Sequence, residues 1–324
     1  MKLLTLATTN PYYNLAVEEY LFRSSEDDVI ILWQNEPTVV IGKNQNVYRE
    51  LNLDYIKEKG INVARRITGG GAVYHDLGNL NFSFISVNSK SGKIDFKSYT
   101  EPIREALLKM GVRAELSGRN DILVEGRKIS GNAQYNFGGR VLHHGTLLFS
   151  ADFSVLSEAL KVDEEKIISK SIKSYRSRVA NIKDFTEDSC TLEGFKELLE
   201  EFFIEKYSPE IIEAPENEEI SRLEARNRSK EWLFPERSFV SDYTVVKKKR
   251  FPFGTVKIEF FMKNEIIENA VISGDYFEIR DASDMLTSMH GKTFKKIIED
   301  ISEYRIENYI YGMSAADLSE LLNS

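Results

Sequence analysis

The chain has 324 residues, a formal net charge of −8, 42% hydrophobic and 29% charged residues. This is an ordinary composition for a soluble protein with a sizeable core, built as one large domain or a large and a small one. The acidic balance argues against broad binding to nucleic acid or anionic membrane, and the single cysteine, Cys190, excludes an intrachain disulfide and a cysteine-rich zinc site.

Met1 to Ala7 is a short apolar run, but Asn10, Pro11 and two tyrosines follow it, so no signal peptide is evident. No window approaches the roughly 18 apolar residues that span a bilayer. The expectation is a soluble, cytoplasmic protein.

Residues 3–7 read as a strand. Asn10-Pro11 opens a helix, with the proline suited to its first turn. Residues 29–33 and 38–41 read as two buried strands separated by the Glu36-Pro37 turn, and 53–59 as a helix ended by Gly60. A strand over 63–67 runs into Gly69-Gly70-Gly71, and another covers 80–87. A helix over 99–110 stops at Gly111. Strands are expected at 121–125, 127–134 and 141–149, and helices near 154–160, 163–169 and 191–206. The stretch 208–219, with two prolines and many acidic or amide residues, reads as a surface connection. A second unit begins near Lys247, with strands over 255–262, 265–272 and 276–279, then helices over 283–288, 293–301 and 314–322. The division expected is a large domain over 1–246 and a small α+β domain over 247–324.

The densest signal is the string from Arg65 to Asn81, RRITGGGAVYHDLGNLN. Three consecutive glycines after a strand are costly to order. They make sense where backbone must approach a ligand closely, with N–H groups facing an anion. Arg65 and Arg66 add charge and forked donors for phosphate or carboxylate. No Gly-Lys-Ser/Thr follows, so this is not a Walker loop, and the GxGxxG dinucleotide pattern is missing. An isolated triple glycine is better read as a hairpin; the complete string outweighs that reading.

Gly118-Arg119-Asn120-Asp121 and Gly126-Arg127-Lys128-Ile129-Ser130-Gly131-Asn132-Ala133 form a second signal. A lysine framed by small residues can point into a pocket, and a fixed ammonium offsets the repulsion when a carboxylate meets a phosphate. Any one lysine is by default a solvated one, and only the glycine framing lifts Lys128 above that. His143 and His144 are adjacent on a strand and so face opposite ways; they would not chelate one metal together. Asp121 and Asp76 are candidate oxygen ligands for Mg²⁺, though single aspartates in turns are more often caps.

The string from Arg65 to Asn81 resembles the signature of the lipoate–protein ligases, within the biotin/lipoyl ligase superfamily. The Gly118–Asp121 and Lys128–Ala133 blocks, His143 to Leu148, and Ser174 to Asn181 are similar to further motifs of that family; Ala180 stands where it often has Thr. Trp232-Leu233-Phe234-Pro235 lacks the glycine of the family's Trp-x-x-Gly segment. The resemblance runs from about residue 10 to 185, and the C-terminal unit looks like the family's accessory domain.

It implies an α+β fold, a mixed sheet flanked by helices, and an ATP-dependent enzyme that forms lipoyl-AMP and passes the lipoyl group to an acceptor lysine. Lys128 would be catalytic and touch both substrates. Arg66, Gly71, Ala72, Val73 and Tyr74 would bind ATP. Gly70 and His144 would line the lipoate tunnel, and Asp121 would hold Mg²⁺. The acceptors implied are lipoyl domains of 2-oxoacid dehydrogenase complexes and the glycine-cleavage H protein. One alternative is an ATP-independent octanoyl or lipoyl transferase of the same fold, which would need a cysteine nucleophile, and Cys190 lies outside every motif; the other is a non-catalytic binding module that kept the pocket, against which Lys128 and both arginines argue.

Overall fold

The computed structural model describes residues 1–87, 94–118, 120–161, 178–235 and 245–324; the helix expected at 163–169 lies outside them. In chain order the strands are β1 (Lys2–Thr5), β2 (Val29–Trp33), β3 (Thr38–Ile41), β4 (Asn62–Arg65), β5 (Val73–His75), β6 (Asn79–Ser86), β7 (Glu115–Ser117), β8 (Asp121–Val124), β9 (Arg127–Phe137), β10 (Arg140–Leu148), β11 (Glu210–Ile212), β12 (Val245–Phe251), β13 (Gly254–Lys263) and β14 (Ile266–Gly274). The helices used below are α1 (Pro11–Ser24), α2 (Val47–Glu50), α3 (Leu53–Glu58), α4 (Phe96–Lys109), α5 (Phe153–Ala159), α6 (Leu192–Tyr207), α7 (Glu218–Arg228) and α8 (Lys230–Leu233).

One eight-stranded mixed sheet, in the order β11-β1-β2-β6-β10-β9-β8-β7, forms the body of the molecule. Its strand β2 shows why it is a middle layer. Ile30 and Leu32 enter the core under α4 and α6, while Val29, Ile31 and Trp33 enter the core under α1. A strand buried on both faces reads as a continuous apolar run, as Val-Ile-Ile-Leu-Trp does. Helix α1 begins where expected: the Asn10 side chain accepts from the Tyr12 and Tyr13 N–H groups, and Pro11 opens the first turn. A smaller sheet, β4-β3-β5, has strand β3 parallel to β4 and antiparallel to β5.

The C-terminal unit is a three-stranded antiparallel sheet, β12-β13-β14, with its own core built on Phe260, Met285, Ile306 and Leu321. Two expectations need correction. The strand expected at 276–279 is an irregular segment, with Glu278 making an isolated bridge to Ile310; its backbone serves a different contact, since the Tyr276 carbonyl accepts from the Gly70 N–H at 3.1 Å. The stretch 208–219 is more than a connection, because β11 extends the large sheet by pairing in parallel with β1, and α7 then packs on α1. No helix among the described residues is long and apolar enough to cross a membrane.

Candidate active site

Strand β9 carries Lys128, and a β-bulge aims it. Asp121 pairs with Gly131 and Ile122 with Ser130, but Leu123 then pairs with Lys128, leaving Ile129 as an extra residue. Without the bulge, counting back from Gly131 would set Lys128 opposite Val124, on the core side. With it, Lys128 shares the face of Asp121, and its Nζ lies 2.7 Å from Asp121 Oδ1. Gly131 leaves room for this side chain: a Cβ there would stand 2.8 Å from Lys128 Nζ. The lysine backbone is fixed from the far side, donating to the Arg178 carbonyl and accepting from the Ala180 N–H.

The face shared by Lys128 and Asp121 is the floor of a cavity of about 250 Å³. Trp33 pairs with Asn81, and Asn81 with Thr146. Thr146 stands beside Gly131, whose N–H donates to the threonine hydroxyl at 3.2 Å, and Gly131 pairs with Asp121. Directly paired residues point to one face of a sheet. One registered row therefore crosses five strands, and every member of it lines the cavity. Val73 and His75, two apart on β5, supply part of the opposite wall.

A second cavity of about 100 Å³ adjoins the first and shares Lys128, Ala72, Val73, Gly131 and Thr146 with it. Tyr74 lines only this smaller one, with Asp152 and Leu156; burial pushes its phenol up to about 12. A larger cavity, about 600 Å³, lies elsewhere, between the large sheet's unit and the C-terminal unit, where Lys43 and Glu278 form an ion pair. It holds neither the glycine run nor Lys128.

The two arginines have different roles. Arg65 donates to five backbone carbonyls, those of Gly42, Lys43, Gln45, Trp232 and Leu233. It ties α8 to β4 and lines the 600 Å³ cavity, not the one that holds Lys128. Arg66 lines the larger cavity. Its guanidinium donates to Thr68 Oγ1 and to the carbonyls of Val40, Gly69 and Gly71, which sets the shape of the glycine run. Burial lowers both arginines to about 10, so they stay charged at neutral pH.

The glycine run is tight because of protein contacts. Gly70 has φ +91, and a Cβ at Gly69 would stand 2.3 Å from the Tyr276 carbonyl oxygen. The Gly70 N–H is already given to that carbonyl, so of the three glycines only Gly71 is open in front.

His144 and His143 face opposite ways. His143 is packed among Phe82, Phe96 and Tyr99, and burial holds it well below its ordinary range. His144 lines the cavity; its Nδ1 is 2.9 Å from Glu18 Oε1 and its Nε2 2.8 Å from Thr68 Oγ1. Asp76 accepts from the Gly78 and Asp152 N–H groups, the bonds of a turn former.

Two family descriptions match the chain: "Lipoyl protein ligase A/B catalytic domain" over residues 10–204 and "Bacterial lipoate protein ligase C-terminus" over residues 241–322. The chain belongs to the lipoate–protein ligase family. It is 40% identical over 321 residues to lipoate-protein ligase LplJ of Bacillus subtilis, covering 97% of each chain. Its fold is similar to that of P. falciparum LipL1, solved in complex with lipoate, at a TM-score of 0.84 and 27% identity over 100% of both chains. It is similar too to lipoate-protein ligase A bound with ATP, at a TM-score of 0.59 and 31% identity, over 72% of this chain and 98% of that one. The chain is thus an enzyme of the lipoate–protein ligase class.

In this ligase the residues singled out from the sequence come together. Arg66, Gly70, Gly71, Ala72, Val73, Asp121, Lys128 and His144 all line the larger cavity, and Tyr74 the smaller. The sequence reading missed Trp33, Asn81, Thr146 and Asp275 as lining residues. The period-two spacing of 144 and 146 carried the signal for Thr146; nothing local pointed to Asp275, which arrives from the C-terminal unit.

Proposed function

We propose that this chain activates lipoate with ATP and transfers the lipoyl group to an acceptor lysine. The observation that supports this best is the position of Lys128 on the wall common to both cavities. In this reading the larger cavity takes the acyl chain, with Gly70 and His144 among its walls. The smaller takes the adenine end, against Ala72, Val73 and Tyr74, with Gly71 beside the phosphates. An ammonium at their junction meets the carboxylate and the α-phosphate at once.

A lipoate carboxylate oxygen attacks the α-phosphorus as the bond to pyrophosphate breaks. Lys128 offsets the charge that builds on the phosphoryl oxygens. Arg66 contributes by holding the glycine run, its remaining guanidinium hydrogen being the one that could reach phosphate. The neutral amine of the acceptor lysine then attacks the acyl carbon, a C–N bond forms, the amine loses a proton and AMP leaves. Mg²⁺, arriving on the triphosphate, would offset further phosphate charge. It needs few protein ligands, and the Asp121 carboxylate on the cavity wall fits that demand.

We assign residues 1–246 to the catalytic unit and 247–324 to the accessory one. The acceptors proposed are lipoyl domains of 2-oxoacid dehydrogenases and the glycine-cleavage H protein. An archaeal relative from Thermoplasma acidophilum, 32% identical, is a bipartite lipoate protein ligase described with its E2 lipoyl domain. The ATP-independent transferase reading lacks its nucleophile, since Cys190 packs at the edge of the α6 core and lines neither cavity. The deciding experiment is lipoate-dependent exchange of label between pyrophosphate and ATP. Exchange is expected; none with the folded protein, lipoate and Mg-ATP would overturn the adenylate mechanism.

A further inference from the structure

Two adjacent carboxylates on α1 are buried, Glu18 and Glu19, each 1% exposed. Glu19 is paired with Arg23 and Arg226. Glu18 has no lysine or arginine at ion-pair distance among the described residues; its contact of that kind is His144. A buried carboxylate without a cation is costly unless hydrogen bonds hold it.

The bonds that Glu18 accepts belong to a chain of six side chains whose directions are fixed by its ends. Trp33 Nε1 can only donate, and it donates to Ser83 Oγ at 2.9 Å. The serine hydroxyl in turn donates to Glu18 Oε1 at 2.5 Å. At the other end Arg66 Nε can only donate, and it donates to Thr68 Oγ1 at 3.0 Å. A carboxylate only accepts, so His144 Nδ1, 2.9 Å from the same Glu18 Oε1, carries a hydrogen. In the neutral ring Nε2 then accepts, and the Thr68 hydroxyl, 2.8 Å away, supplies that hydrogen. Both arms of the chain end on one oxygen of Glu18.

The arm through His144 has a consequence at the glycine run. The Arg66 guanidinium that bonds Thr68 also donates to the carbonyls of Val40, Gly69 and Gly71. Its roll about the side chain is therefore set on one edge by Thr68 and spent on the other in holding the run. Glu18 lies behind this arrangement and lines neither cavity.

We propose that Glu18 is a positioning residue for the nucleotide: by accepting from His144 it orients Thr68 and Arg66, and through them the glycine run beside the phosphates. This rests on the ligase reading for its ligand but not on any chemical step.

The test is calorimetric binding of Mg-ATP and, separately, of lipoate to the whole protein. Glu18→Ala removes the acceptor on which both arms end. Thr68→Val cuts the chain between His144 and Arg66 with little change of shape. Each is expected to weaken Mg-ATP about tenfold, the scale of one lost hydrogen bond, and the double variant no more than either alone. Lipoate should lose less than Mg-ATP in both single variants. Glu18→Gln keeps an oxygen that accepts from Ser83 and His144, and is expected to bind Mg-ATP within about threefold of the unaltered protein. If Glu18→Ala does not fold, Thr68→Val and Glu18→Gln carry the test. A folded Thr68→Val protein with unaltered Mg-ATP affinity would overturn the proposal. So would losses that add in the double variant, a Glu18→Gln protein as weak as Glu18→Ala, or a larger loss for lipoate than for Mg-ATP. An unaltered protein that binds Mg-ATP without pyrophosphate exchange loses the adenylation reading alone, and the comparison of variants still decides; one that binds no Mg-ATP loses both.

Discussion

The two ends of the cavity beside Lys128 are built on opposite principles. At one end Lys128 and Asp121 are each about one-third exposed and form a 2.7 Å ion pair. Such a pair is weakly bound, so either charge can be drawn to a substrate at little cost. At the other end His75 and Asn81 are buried, and each makes its hydrogen bond to a neighbouring amide, Asn35 and Asn79. The contrast shows where each kind of group is useful. Charge that must change partners stays near water, while the buried end is fixed by packing and by hydrogen bonds within the protein.

The sharpest way to break this contrast is at the charged end. Lys128→Ala is expected to lower pyrophosphate exchange by on the order of a hundredfold or more with the fold intact by circular dichroism. Near-normal exchange would remove the ammonium from the mechanism.

The neutral end makes a prediction about pH. His75 has its folded pKa depressed to about 3, so below the unfolded value near 6.5 the unfolded chain binds a proton that the folded chain refuses. Stability from this group is therefore full above about pH 6.5 and is lost as pH falls from there toward 3. At pH 5 the loss is about 2 kcal/mol. Denaturant titrations at pH 7.5 and pH 5 should show a smaller difference for His75→Gln than for the unaltered protein; equal differences would mean that His75 is not held neutral.

Between the two ends, Arg66 shapes the glycine run. Arg66→Lys keeps the charge and loses the forked geometry, and is expected to lower kcat/KM for exchange roughly tenfold. An unchanged value would mean that the run keeps its shape through Tyr276 alone. The smallest effect is expected at Cys190→Ser. It should retain full ATP-dependent lipoylation, and intact-mass measurement with an octanoylated donor and no ATP should find no acyl adduct. An adduct with an inactive serine variant would restore the transferase reading.

Much of this was legible in the sequence. The buried strands announced themselves by apolar runs, α1 by Asn10-Pro11, and the site by the glycine blocks around Lys128. The failures have physical causes. Arg65 and Arg66 are identical in type and adjacent, but a strand turns successive side chains to opposite sides, so only one meets the cavity. β11 is three residues long and is held by its partner β1, with no pattern of its own. The irregular course of 276–278 follows from docking against the glycine run, and residues far apart in sequence give no local sign that they will meet.

The registered row of Trp33, Asn81, Thr146, Gly131 and Asp121 works as a ruler. Its graduations are backbone hydrogen-bond spacings of roughly 4.8 Å, which side-chain substitutions cannot stretch. Changes to the walls can widen or narrow the cavity, but the distance from the lysine to the far end is fixed by how many strands lie between them. A variant of this fold suited to a longer or shorter acyl chain must move its end-stop by whole graduations, so chain length should change in steps while girth varies smoothly.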